Sequence, residues 1–112
     1  MTIFEKIAAR EISADLVYEA EDFVAFRDIQ PQAPVHVLII PSRCIPRIGA
    51  TTSDDAPLLG RMLAAAPEIA RRCGVAESGY RLVINNGRDA GESVPHLHIH
   101  LLGGRAMQWP PG

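Results

Sequence analysis

The hydrophobic and polar positions divide the chain into segments of different period. Thr2-Ile3-Phe4-Glu5 has the Thr-x-x-Glu form of a capping box and predicts a short helix over about Ile3 to Arg10. Ile3, Phe4 and Ile7 would supply its inward face. Leu16-Val17-Tyr18-Glu19 and Phe23-Val24-Ala25-Phe26 are strand-like runs on either side of the polar Ala20-Glu21-Asp22, which reads as a hairpin. Pro31 and Pro34 forbid a regular ladder in the next stretch. Val35 to Ile40 is a continuous apolar run interrupted only by His36 and ended by Pro41. Ser53 suits the cap of a helix that begins at Asp54-Asp55. From Leu58 to Cys73 a helical stripe runs through Leu59, Met62, Leu63, Ala66, Ile69 and Ala70. Pro67 should kink or split that helix, and Gly74 should stop it. Residues 79–85 form another strand.

Period two then returns in its clearest form. His96-Leu97-His98-Ile99-His100-Leu101 alternates imidazole with aliphatic side chains, which places three histidines on one face of a strand and three anchors on the other. The segments sum to an α+β fold in one domain, residues 1–112: a short N-terminal helix, one long helix and a five-stranded antiparallel, meander-like sheet with its helices on one face. Residues 105–112 form a tail that cannot make an internal strand. Its Trp109 should dock on another surface, a second subunit being one choice.

Composition narrows the function classes. The chain has 112 residues and a formal net charge of −2, so no global basic field marks a nucleic-acid or acidic-membrane partner. No apolar run reaches membrane-spanning length, and the N-terminus lacks a signal-peptide pattern. Cys44 and Cys73 read as reduced thiols. A cytoplasmic protein is the expectation.

The chemistry concentrates in the histidines, of which three of four fall within five residues. A solvated strand face normally carries mixed Lys, Glu, Thr and Arg, so a merely polar edge is a poor account of them. Imidazole suits proton transfer, nucleophilic attack and metal binding alike. His-x-His on a strand can supply two zinc ligands, but three alternate positions span roughly 13 Å, too far for one ion to take all three. A mononuclear site would need a carboxylate or His36 as well. The polar loop Asn85–Ser93 that precedes the motif offers small residues and free N–H groups, which suit an oxyanion better than a cation. The motif therefore reads as catalytic before metal-binding. If the strand of His36 pairs with that of the triad, His36 can hydrogen-bond one of the three and set its tautomer.

With these residues the chain resembles the histidine triad (HIT) superfamily and, within it, the Hint branch of nucleotide-binding proteins. The resemblance rests on His96-x-His98-x-His100-Leu101-Leu102, on Asp28-Ile29-x-Pro31-Gln32-Ala33-Pro34-x-His36, on Gly103-Gly104-Arg105 and on the closing Trp109-Pro110-Pro111-Gly112. It covers nearly the whole chain. It implies a homodimer whose two five-stranded sheets join edge to edge. It also implies binding of purine nucleoside monophosphates and hydrolysis of nucleoside phosphoramidates to a monophosphate and an amine, without metal or other cofactor. By the same resemblance His98 is the nucleophile, supported by His36 and His96. Asn85, Ser93 and His100 contact the phosphate, Asp28 holds the ribose hydroxyls, and Ile29 with neighbouring apolar residues lines the base pocket. Gly91, Glu92 and Val94 complete the nucleotide-binding set.

Three residues depart from the pattern. Glu92 stands where glutamine is expected, Cys44 where a histidine or other polar residue is common, and Pro95 where an aromatic residue often precedes the triad. Glu92 should turn outward or pair with a cation such as Arg88, because an ionised carboxylate would repel a phosphate; the alternative is that it faces the leaving amine, where it would attract a cationic group. Two other functions fit the same motif: a dinucleoside polyphosphate hydrolase of the same superfamily, and a nucleotide-binding regulatory module whose catalysis is incidental.

Overall fold

Thr2 starts the first helix reciprocally with Glu5. In the computed structural model, which describes residues 1–112, the Thr2 hydroxyl accepts from Glu5 N at 3.1 Å and the Glu5 carboxylate accepts from Thr2 N at 2.9 Å. This helix, α1, spans Ile3–Ala8 and so stops short of Arg10, which has left-handed backbone at φ 62°. Phe4 and Ile7 share its buried face three residues apart. Ile3 lies about 100° around the axis from Phe4 and is 51% exposed, contrary to its expected inward position.

The sheet comprises β1 (Leu16–Glu19), β2 (Phe23–Arg27), β3 (Val35–Pro41), β4 (Tyr80–Val83) and β5 (Ile99–Gly103). Their order is β1-β2-β3-β5-β4 and every neighbouring pair is antiparallel. The first three strands form a meander. The last strand of the chain then inserts beside β3 and leaves β4 at the edge. Pro41, expected to end its strand, is the last paired residue, opposite Phe23. Proline can stand there because it gives up only its N–H and keeps a carbonyl acceptor.

Helices cover both faces of the sheet, not one. On one side Phe23, Ala25, Val37, Ile39, Ile99 and Leu101 pack against α2 (Ala56–Ala64) and α3 (Ala66–Arg72). On the other, Val24, Phe26, Leu38 and Ile40 pack with Phe4 and Ile7 of α1. β2 and β3 are apolar at nearly every position, so alternation sends apolar side chains to both sides and both need cover.

The long helix is two helices. Thr52, not Ser53, caps its start: its hydroxyl accepts from Asp54 N at 3.3 Å and Asp55 accepts from Thr52 N at 2.9 Å. One 3-10 turn, Ser53–Asp55, precedes α2. Pro67 has no N–H to return to Leu63, and the helix breaks at Ala65 between α2 and α3. No helix is long and apolar enough to cross a membrane. At the end of β5 a Cβ on Gly103 would meet Val75 at 3.0 Å, and one on Gly104, at φ 89°, would meet Pro34 at 2.9 Å; only glycine fits there. The tail is pinned by Arg81, which donates to Gln108 O at 3.0 Å. Trp109 touches little of its own chain and is 82% exposed.

Candidate active site

Leu97, Ile99 and Leu101 face the larger core, so His96, His98 and His100 must face the other side, towards α1. Regular pairing begins only at Ile99. His96 and His98 precede the strand proper, yet they keep its alternation because their neighbours are anchored. His96 is wholly buried and His98 nearly so. The edge of the Phe4 ring stands 5.1 Å from the His98 ring, centre to centre, and His100 packs on it at 4.9 Å. In the ladder Leu38 lies opposite His100 and His36 opposite Leu102, which makes His36 and His100 diagonal neighbours on one face.

Hydrogen-bond partners assign a tautomer to all four rings. His98 Nδ1 lies 2.7 Å from His96 O. A carbonyl only accepts, so Nδ1 carries a proton and, in the neutral ring, the lone pair is on Nε2. His96 Nε2 likewise donates to Pro41 O at 2.8 Å, and its Nδ1 takes the Thr2 hydroxyl at 3.3 Å. Gln32 N–H donates to His36 Nδ1 at 3.0 Å, leaving the proton of His36 on Nε2. That nitrogen donates to His100 Nδ1 at 2.8 Å, so His100 carries its own proton on Nε2. The result is one ring presenting a lone pair beside another presenting an N–H.

Charge states agree with these tautomers. Burial, then the neighbouring His98 and His36, pushes His100 down to about 4, against the opposing pull of Asp28. Burial also lowers His36, opposed by Asp28, and lowers His96, opposed by its bond to Pro41 O. These three rings are neutral at neutral pH. Asp28 accepts from Gln30 N at 2.8 Å through Oδ1, and its Oδ2 lies 3.6 Å from His36 Nε2.

Beside the histidines a cleft of about 620 Å³ is lined by Phe4, Ile7, Phe26 and Leu38 together with Asp28, Ile29, Ser93 and Val94. Four residues of the sequence-derived nucleotide set thus share one concavity, although Ile29 itself is 91% exposed. The Phe4, Ile7, Phe26 and Leu38 walls carried no signal beyond plain core in the sequence. Asn85 and Gly91 do not line this cleft. Glu92 turns to a partner that the sequence did not suggest. Arg47 donates to its two oxygens from Nε and Nη2 at 2.9 and 3.0 Å, and Gly87 N donates at 3.0 Å. These bonds hold the Glu92 carboxyl below its usual range, Arg47 first and Gly87 second. Arg88, the expected partner, pairs with its own neighbour Asp89 instead. None of the four histidines lines this cleft, which reaches them through Phe4; a larger hollow, about 760 Å³ between Tyr18–Phe23 and Arg61–Ala65, is lined by none of the sequence-derived site residues.

Two sets of side chains gather metal-ligand atoms within 4.8 Å of one another: Asp28 with His36 and His100, and Glu5 with Cys44 and His96. The first set supplies the carboxylate and the fourth histidine that a mononuclear site would require. There His36 Nε2–H already donates to His100 Nδ1, and an ion between them would displace the bond that sets the His100 tautomer.

Comparison with known proteins is consistent over the whole chain. A family model described as HIT domain matches residues 9–107. The purine nucleoside phosphoramidase of Escherichia coli K12 is 50% identical over 106 residues, covering 95% of this chain and 89% of the relative. An uncharacterised HIT-like protein of Synechocystis is 52% identical across 99% of this chain and 96% of its own. Among solved structures, a HIT family hydrolase from Legionella pneumophila superposes with a TM-score of 0.96 at 49% identity over 100% of both chains. A histidine triad nucleotide-binding protein from Candida albicans gives 0.82 at 31% identity, over 98% of this chain and 83% of that one. With a domain match over most of its length and relatives at half identity, this chain belongs to the HIT domain family.

Proposed function

We propose that the protein is a purine nucleoside phosphoramidase, cleaving the P–N bond of nucleoside 5′-phosphoramidates through a nucleotidyl-histidine intermediate. The observation that carries this reading is the tautomer of His98: with Nδ1–H bound to His96 O, the lone pair on Nε2 is available to attack phosphorus. Support also comes from the half-identical relative named for that activity.

In the first step His98 Nε2 bonds to phosphorus as the P–N bond breaks, and the departing nitrogen takes a proton to leave as an amine. Ser93, exposed and lining the cleft, contacts the phosphate and relays that proton from solvent. In the second step water bonds to phosphorus as the phosphorus–Nε2 bond breaks and gives up a proton to solvent, releasing the nucleoside monophosphate and returning His98 to its starting form. Since the intermediate is itself a P–N bond, the exchange is not steeply uphill. His100 Nε2–H, Asn85 and the N–H groups of loop 85–93 stabilise the charge on the phosphoryl oxygens. Asp28 holds the ribose, and Ile29 with Phe26, Leu38 and Val94 covers the base. No step uses a metal or cofactor. The enzyme is a cytoplasmic homodimer that acts without nucleic acid or membrane. The free edge of β4 and the exposed Trp109 support a second subunit.

Incubation with adenosine 5′-phosphoramidate in chelator-treated buffer should release AMP and amine. Diadenosine tetraphosphate should be turned over far more slowly. The reverse preference, or activity that needs added zinc, would overturn the reading.

A further inference from the structure

Glu92 stands directly before Ser93, which lines the cleft, and six residues before His98. Only 13% of its side chain is exposed, so solvent does little to screen its charge. Left alone, such a carboxylate would oppose any phosphate brought to His98. Arg47 answers it. The two side chains, 45 residues apart, meet in a fork-to-fork geometry that only a guanidinium can make.

The same two segments meet again where Gly49 N donates to Asn86 Oδ1 at 2.6 Å. There a side chain at position 49 would come within 2.8 Å of that oxygen. The stretch between β3 and α2 is therefore tied to loop 85–93 at two places. The loop is held further by Glu92 N, which donates to Gly87 O at 3.1 Å.

We propose that Arg47 is a positioning residue of the nucleotide site: it holds Glu92 in a bidentate, charge-cancelling pair, so that loop 85–93 presents Ser93 and its N–H groups to a 5′-phosphate without an uncompensated negative charge. The inference rests on the phosphoramidase reading for the identity of the ligand, and on the geometry for the role of Arg47.

The test is binding, not turnover. AMP and adenosine are titrated calorimetrically into the wild type, Arg47→Ala, Arg47→Lys, Glu92→Gln and the Arg47→Ala/Glu92→Gln double variant. Arg47→Ala should weaken AMP binding roughly tenfold, the scale of one partly screened unit charge acting over several ångström, and leave adenosine binding unchanged. Adding Glu92→Gln to Arg47→Ala should restore AMP binding. Arg47→Lys, which keeps the charge without the fork, should fall between. Equal losses for AMP and adenosine would reduce Arg47 to a structural prop and overturn the proposal. So would an unchanged AMP affinity in Arg47→Ala, or a double variant no better than the single one. If Arg47→Ala fails to fold, Arg47→Lys and Arg47→Gln carry the same comparison. A wild type that binds neither ligand refutes the nucleotide reading itself, and does so before any variant is compared.

Discussion

At His100 burial and two neighbouring imidazoles act together to keep the ring neutral down to about pH 4. The ordinary histidine value is 6.5, so between 6.5 and about 4 the unfolded chain binds a proton at this residue that the folded chain refuses. Stability is therefore full above about pH 6.5 and declines as the pH falls towards 4. His36 and His96 are shifted in the same direction and steepen the decline. The lowered carboxyl groups, such as Glu68 at about 2, act in the same sense but below the ordinary carboxylate value. Thermal melting should show a Tm that is flat above pH 6.5 and drops between 6.5 and 4, with the drop reduced in His100→Gln. A Tm that stayed level through that window would mean the three rings titrate normally and that the neutral network is misassigned.

The first helix is small, but it touches the chemistry. Thr2 Oγ1 serves two partners, accepting from Glu5 N as the helix cap and approaching His96 Nδ1. Thr2→Ala should cost about 1 kcal/mol, the usual value of an N-cap, as read by urea unfolding. It should also lower kcat modestly by freeing the ring of His96, the residue whose backbone carbonyl holds His98. Thr2→Ser should restore both. A variant with the full stability loss and an untouched kcat would disconnect the cap from the site. At this scale much was legible in the sequence. The capping box, the hairpin and the imidazole alternation are local patterns, and period and capping chemistry are local rules. One miss was local: Thr52, not Ser53, forms the capping box with Asp55. The rest of what escaped depends on distant partners. The helix on the far side of the sheet follows from burial on two faces. Arg47 finds Glu92 only after the chain has folded. The pairing of His36 with the triad could be posed from the sequence, but only the β3–β5 register selects His100 as the partner.

Across the whole molecule the site lies where one end of the sheet, α1 and two loops meet, and the tail runs along β4 and β5. Arg105 donates to Gln32 O at 3.2 Å, next to the backbone N–H that sets the His36 tautomer. The tail is thus hydrogen-bonded to the same residue, Gln32, whose N–H fixes the His36 ring. Deleting the residues after Gly104 should leave the proposed dimer intact by analytical ultracentrifugation while changing the ranking of amine leaving groups. An unchanged ranking would show that Trp109 and its neighbours play no part in selectivity.

The central step is nucleophilic attack by Nε2 of His98. The direct measurement is peptide mass spectrometry after rapid quenching of the reaction with adenosine 5′-phosphoramidate into alkaline denaturant, which preserves a phosphorus–imidazole bond. Wild-type protein should carry one adenylyl group on the peptide containing His98. His98→Ala should carry none and show no turnover, while still binding AMP. An adduct on another residue, or substantial turnover by His98→Ala, would contradict the mechanism.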